Sequence, residues 1–89
     1  MKKYETKRVK IDFTDTSKKV GDKVIPINKN LIPTSDLEDK NYNWNNPIEI
    51  VKEKISKKCG YDIQIIWLKA NNNDSNKSTM LLGRYFKLI

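Results

Sequence analysis

The chain has no histidine, one cysteine, three glycines, three prolines and, among its 18 basic residues, only two arginines. Each scarcity removes a class of function. Without histidine no Ser–His–Asp or Cys–His set can be assembled, and the commonest metal ligand is missing. The solitary Cys59 permits neither an intrachain disulfide nor a cysteine zinc cage, and reads as a small, half-buried hydrophobe. The three glycines, at 21, 60 and 83, are too far apart for a phosphate-cradling loop or a dinucleotide fingerprint. Arginine is the side chain that reads guanine bidentately, so its scarcity argues against sequence-specific DNA recognition. Helix-turn-helix, zinc-finger and GxxG patterns are also missing. The longest apolar run, Ile65-Ile66-Trp67-Leu68, is far short of the roughly 20 residues a membrane helix needs. The basic start leads into Val9-Lys10-Ile11-Asp12-Phe13 with no signal-peptide core, so a cytoplasmic location is expected.

What remains is lysine-rich and globular. The 89 residues suit one domain and carry a net charge of +7, with 37% hydrophobic and 33% charged residues. Heavy use of Asn, Lys and Ile matches AT-rich coding and points to a low-G+C bacterium or its phages and mobile elements.

Alternation of Val9, Ile11 and Phe13 with polar residues predicts a strand over 7–14, and a second strand follows through Val20, Val24, Ile25 and Ile27. Pro26 places that strand at a sheet edge, and Gly21-Asp22 marks a bulge or turn. Residues 28–45 form a long loop containing Leu31, Ile32, Tyr42 and Trp44, in which Ser35 and Glu38 could cap a helical turn. Asn46, Pro47 and Glu49 read as a helix start, Ile48, Val51 and Ile55 as its apolar stripe, and Gly60 as its stop, predicting a helix over 47–59. Strands are predicted over 61–70 and 79–89, separated by a polar loop over 71–78. The expected fold is therefore α+β: a ββαββ domain, an antiparallel sheet with one helix packed on one face and a long loop before the helix.

The last two strands are apolar on both faces. Tyr61, Ile63, Ile65 and Trp67 lie opposite Ile66, Leu68 and Ala70; Met80, Leu82, Phe86 and Leu88 lie opposite Leu81, Tyr85 and Ile89. One helix covers one face, so the other calls for the 28–45 loop, a second copy of the chain, or a partner.

Basic residues cluster in three places: at the start of the chain, in the first hairpin at Lys18, Lys19 and Lys23, and on the expected helix. Lys7, Arg8 and Lys10 sit in the first strand, Lys52, Lys54, Lys57 and Lys58 on the expected helix, and Arg84 in the last strand; together they read as a nucleic-acid-binding or steering surface. Tyr42, Trp44, Ile66, Leu68 and Tyr85 read as anchors for a partner. The sequence thus leads to a small non-enzymatic binding protein, a regulator or inhibitor of phage or mobile-element type acting on a nucleic-acid-handling protein complex. Two other functions compete: a low-specificity RNA- or DNA-binding module working through the lysines, and a small basic ribonuclease using Arg84, Tyr85 and Lys69. No cofactor is implied. The Asn71–Asn76 stretch alternates oxygen ligands but lacks the central Gly and terminal Glu of a calcium loop, so no metal site is assigned. Homodimerisation is a further use for the second sheet face.

Overall fold

The structure, a computed structural model, describes residues 15–73 and 75–89. The strand expected over 7–14, with Lys7, Arg8 and Lys10, lies outside the described residues. Five strands form one antiparallel sheet: β1 (Lys23–Pro26), β2 (Ile48–Lys58), β3 (Tyr61–Lys69), β4 (Ser78–Leu82) and β5 (Phe86–Leu88), in the order β4-β3-β2-β1-β5. A single-turn helix, α1 (Thr34–Leu37), and a 3₁₀ turn (Lys29–Leu31) lie in the β1–β2 connection, and a second 3₁₀ turn (Gly83–Tyr85) joins β4 to β5.

The helix expected over 47–59 is the strand β2. Its caps and its three-and-four spacing are real, but the same residues read in twos: Ile48 and Ile50 are buried while Glu49 and Val51 are exposed. Four β-branched residues, Ile48, Ile50, Val51 and Ile55, favour the pleated state, and pairing with β3 from Ile50↔Leu68 to Lys58↔Tyr61 decides it. Gly60 does not stop a helix. Cys59 and Gly60 have φ of 53° and 83° and link Lys58 to Tyr61, a two-residue hairpin turn whose two left-handed positions match the strand twist. The register shifts between Ile50 and Lys52, so Val51 is an extra residue bulging from the ladder.

Two further expectations change. The strand over 79–89 is two strands, broken at Gly83, where an added Cβ would sit 3.2 Å from the Gln64 Oε1 and 3.5 Å from the Ile66 Cγ2. β1 is internal, between β2 and β5, rather than at the edge; Pro26 is tolerated because it is the strand's last residue, and the ladder continues through the Ile27 N–H donating to the Tyr85 carbonyl at 2.9 Å.

The break at Gly83 shapes the molecule. β4 and β5 occupy opposite ends of the strand order, yet three residues connect them. In a flat sheet those strands would be about 19 Å apart, beyond what the connection spans, so the sheet is rolled. The concave side holds Val24, Ile48, Ile50, Ile66, Leu68 and Phe86, each no more than 1% exposed.

The 28–45 loop closes that concave side. Ile32, Tyr42 and Trp44 are buried; Tyr42 stacks on Trp44 with ring centroids 5.0 Å apart, and Trp44 meets Phe86 at 6.2 Å. The Tyr42 hydroxyl donates to the Leu68 carbonyl at 2.8 Å and the Trp44 Nε1 to the Asp36 carbonyl at 3.0 Å, so each ring is buried with its polar atom satisfied. The helical turn expected near Ser35 is α1, but Pro33 is its N-cap and no side chain caps it. Asparagines stitch the loop down: the Asn71 Nδ2 donates to the Asn43 carbonyl, and the Asn72 and Asn73 side chains to the Lys40 carbonyl, all at 2.9 Å. The Asn-rich segment is a set of backbone clamps.

Candidate functional site

Directly paired residues of an antiparallel sheet share a face. The registers therefore sort β2, β3 and β4 into an inner face and an outer one. The outer face is built of rows: Lys69–Ser78, Lys52–Trp67–Met80, Lys54–Ile65–Leu82, Ser56–Ile63 and Lys58–Tyr61. Tyr61 and Met80 are 65% and 56% exposed, and Ile63, Ile65, Trp67 and Leu82 are half-buried among their neighbours. The Lys52 Nζ lies 4.7 Å from the Trp67 ring centroid, a cation–π contact across the pair. The result is an apolar stripe along β3 and β4 with a column of lysines on its β2 side. At the β4 edge the stripe runs into a groove of about 270 Å³ lined by Leu31, Pro33, Ile65, Met80, Leu81, Leu82 and Tyr85.

The two sets of sequence-predicted residues are redistributed. Tyr42, Trp44, Ile66 and Leu68 are core, between 0% and 6% exposed, so their surfaces are spent on the chain's own loop. Tyr85 is half-buried and lines the groove, with the Arg84 guanidinium carbon 5.6 Å from its ring centroid. Of the four β2 lysines, Lys52, Lys54 and Lys58 share the outer face. Lys57 turns to the other face, where its Nζ is 3.6 Å from the Asp62 carboxylate. Arg84 follows β4 at its Leu82 end, whereas Lys69 pairs with Ser78 at the opposite end, about 13 Å away along the strand. The fold does not gather Arg84, Tyr85 and Lys69 into one cluster.

Two features went unread in the sequence. One is the outer face itself: of the expected anchors, Tyr42, Trp44, Ile66 and Leu68 lie on the opposite, loop-covered side. The other is a buried polar bracket: the Gln64 Oε1 accepts from the Lys18 N–H at 3.0 Å, and its Nε2 donates to the Lys18 carbonyl at 2.6 Å and to the Glu53 carboxylate at 2.9 Å. It fastens the segment before β1 to β3. Lys18 itself forms an ion pair with Asp15. Burial opposes ionisation of the Asp15 carboxyl, but hydrogen bonds from Lys18 and Ser17 outweigh it and hold its pKa at about 2. The hydrogen bond from Lys77 lowers the pKa of Asp39. Tyr42 is pushed up to about 12, first by burial and then by the nearby charges of Asp39 and Asp36.

A polar hollow of about 540 Å³ lies over the loop, lined by Lys29, Lys40, Asn43, Asn45, Asn72 and Asn73 among others, but the amides of Asn72 and Asn73 are engaged by backbone. Among the described residues no three His, Cys, Asp or Glu side chains converge to hold a metal ion, and no helix is long and apolar enough to cross a membrane. Compared with protein-family models, curated proteins and solved structures, the chain matches none.

Proposed function

We propose that this chain is a small non-enzymatic binding protein, of the regulator or inhibitor kind, that docks a partner protein on the outer face of β2, β3 and β4. The observation that carries this reading is the apolar stripe Tyr61-Ile63-Ile65-Trp67 with Met80 and Leu82, left open after the loop has covered the other face. An open apolar patch rimmed by polar side chains is the usual mark of a protein contact. The lysine column and the net charge of +7 favour an acidic partner surface, and a complex that handles nucleic acid is the class in which such charge also speeds encounter.

Direct nucleic-acid binding draws on the same lysines, but four of the six apolar residues on the face are aliphatic and offer no ring for a base to stack on. The test is co-purification from expressing cells, with and without nuclease, for the wild type, Ile65→Glu and Lys54→Glu. A protein retained after nuclease treatment, lost with Ile65→Glu and weakened with Lys54→Glu, is expected. Loss of all retained material on nuclease treatment would replace this reading with direct nucleic-acid binding.

A further inference from the structure

Resting on the reading of the outer face as a docking surface, we infer that the element it receives is an acidic amphipathic α-helix of the partner, lying along β3. A sheet apolar on both faces needs a covering layer on each. The loop supplies the inner one. Among the described residues the only α-helix is the four-residue α1, and it belongs to that loop, so the outer layer has to come from elsewhere.

The dimensions of the face match a helix. From Lys52 to Lys58 the column runs roughly 20 Å, the length of about 13 helical residues. Its rows recur every ~6.7 Å, close to the ~6 Å that separates positions i and i+4 on one side of a helix. The face is also lopsided: Lys52, Lys54 and Lys58 line the β2 column, while β3 from Tyr61 to Trp67 and β4 at Met80 and Leu82 are apolar, the stripe ending in the polar pair Lys69–Ser78. A helix bearing an apolar stripe with Asp and Glu along one flank has the same asymmetry. The groove beneath Leu31, Pro33 and Tyr85 lies at the apolar edge and, at about 270 Å³, takes a single large side chain, the usual form of an anchoring residue.

Charge weighs against the nearer candidates. A second copy would bring a lysine-flanked face against a lysine-flanked face. The chain's own residues 1–14 carry five basic residues against two acidic ones, the same sign as the column. A nucleic-acid strand has the right sign but would meet ring faces only at Tyr61 and Trp67, three rows apart at the two ends of the stripe.

The test uses two display libraries of peptides about 16 residues long, of equal acidic and apolar composition. One is patterned as amphipathic helices and the other is shuffled. Selection on the full chain should enrich the helical library. A synthesised clone should gain helical circular dichroism on binding, shift the amide resonances of Ile63, Ile65 and Met80, and be abolished by Ile65→Glu. Lys54→Glu should weaken it about tenfold, and a peptide with Lys in place of the facing Glu should recover the loss. If the shuffled library enriches equally and its peptides bind the same residues in extended form, the helix is overturned while the docking face stands. If neither library yields a binder sensitive to Ile65→Glu, or only oligo-dT binds the face at physiological salt, both readings fall.

Discussion

Replacing Gln64 by alanine should unfold this protein at markedly lower denaturant. Gln64 is 2% exposed and carries three hydrogen bonds; Lys18, which shares two of them, is 4% exposed. Truncation leaves the Lys18 N–H and C=O without partners in a site closed to water. An unsatisfied buried polar group costs about 1–3 kcal/mol, so the pair should cost roughly 2–6 kcal/mol. A domain of this size has about 4–13 kcal/mol in total, and each kcal/mol moves Tm by about 4–8 °C. Urea unfolding followed by fluorescence of Trp44 and Trp67 gives the number directly. Gln64→Glu sharpens the argument. It keeps an acceptor for the Lys18 N–H but loses the donor to the Lys18 carbonyl and sets a second carboxyl beside Glu53. Burial and that neighbour raise the introduced carboxyl's folded pKa, so the variant should regain stability as pH is lowered from neutrality towards that of an ordinary carboxyl. A Gln64→Ala protein within about 0.5 kcal/mol of wild type would refute the bracket as a structural fastening.

Other perturbations test other parts of the account. Trp44→Ala should cost about 3–5 kcal/mol in the same urea experiment, because it removes the ring between Tyr42 and Phe86 and detaches the loop. Cys59→Asn should stabilise by roughly 0.5–1 kcal/mol, since Asn tolerates the left-handed φ of 53° better than Cys; in a helix the same change would destabilise. Thermal unfolding across pH should show stability falling as pH drops from about 4 towards 2. The folded Asp15 pKa of about 2 lies below its ordinary 3.8, and Asp39 is lowered too, so their contributions are present above the ordinary value and lost below it; Asp15→Asn should flatten that slope. At the alkaline end the sign reverses for Tyr42: with a folded pKa of about 12 against 10.0, stability should decline above pH 10, and Tyr42→Phe should remove that decline. Ile65→Glu should change stability by less than about 1 kcal/mol, because the new carboxyl stands on the open face beside Lys54.

The legible parts of the fold were those decided locally. β3 lies where β-branched and aromatic alternation put it and β1 falls within the second predicted strand, whereas Tyr42 and Trp44, expected as partner anchors, pack the loop onto the chain's own core. The 47–59 segment misled because Asn46, Pro47 and Glu49 imitate a helix start and Ile48, Val51 and Ile55 fall at helical spacing. Only pairing with the next strand, across the Cys59-Gly60 turn, selects the pleated reading. The Cys59-Gly60 step between two β-branched runs was the local hint of a hairpin. Gly83 was a second hint, since a glycine inside an apolar strand marks a bend or a close approach; here it is both, and it sends β5 to the far end of the strand order. The candidate site was half legible for the same reason. Two apolar faces were evident, but which of them the loop would cover depends on the roll of the sheet, and no local pattern encodes that.

The claim at the centre of the account is that the outer face of β2–β3–β4 meets a protein. Its most direct test is photocrosslinking in expressing cells from benzoylphenylalanine placed at Met80 or Tyr61, with exposed Lys40 as the control position. The account predicts a discrete protein adduct from Met80 and Tyr61, resistant to nuclease, and none from Lys40. Adducts that form from Lys40 but not from Met80 or Tyr61, or that disappear on nuclease treatment, would contradict it.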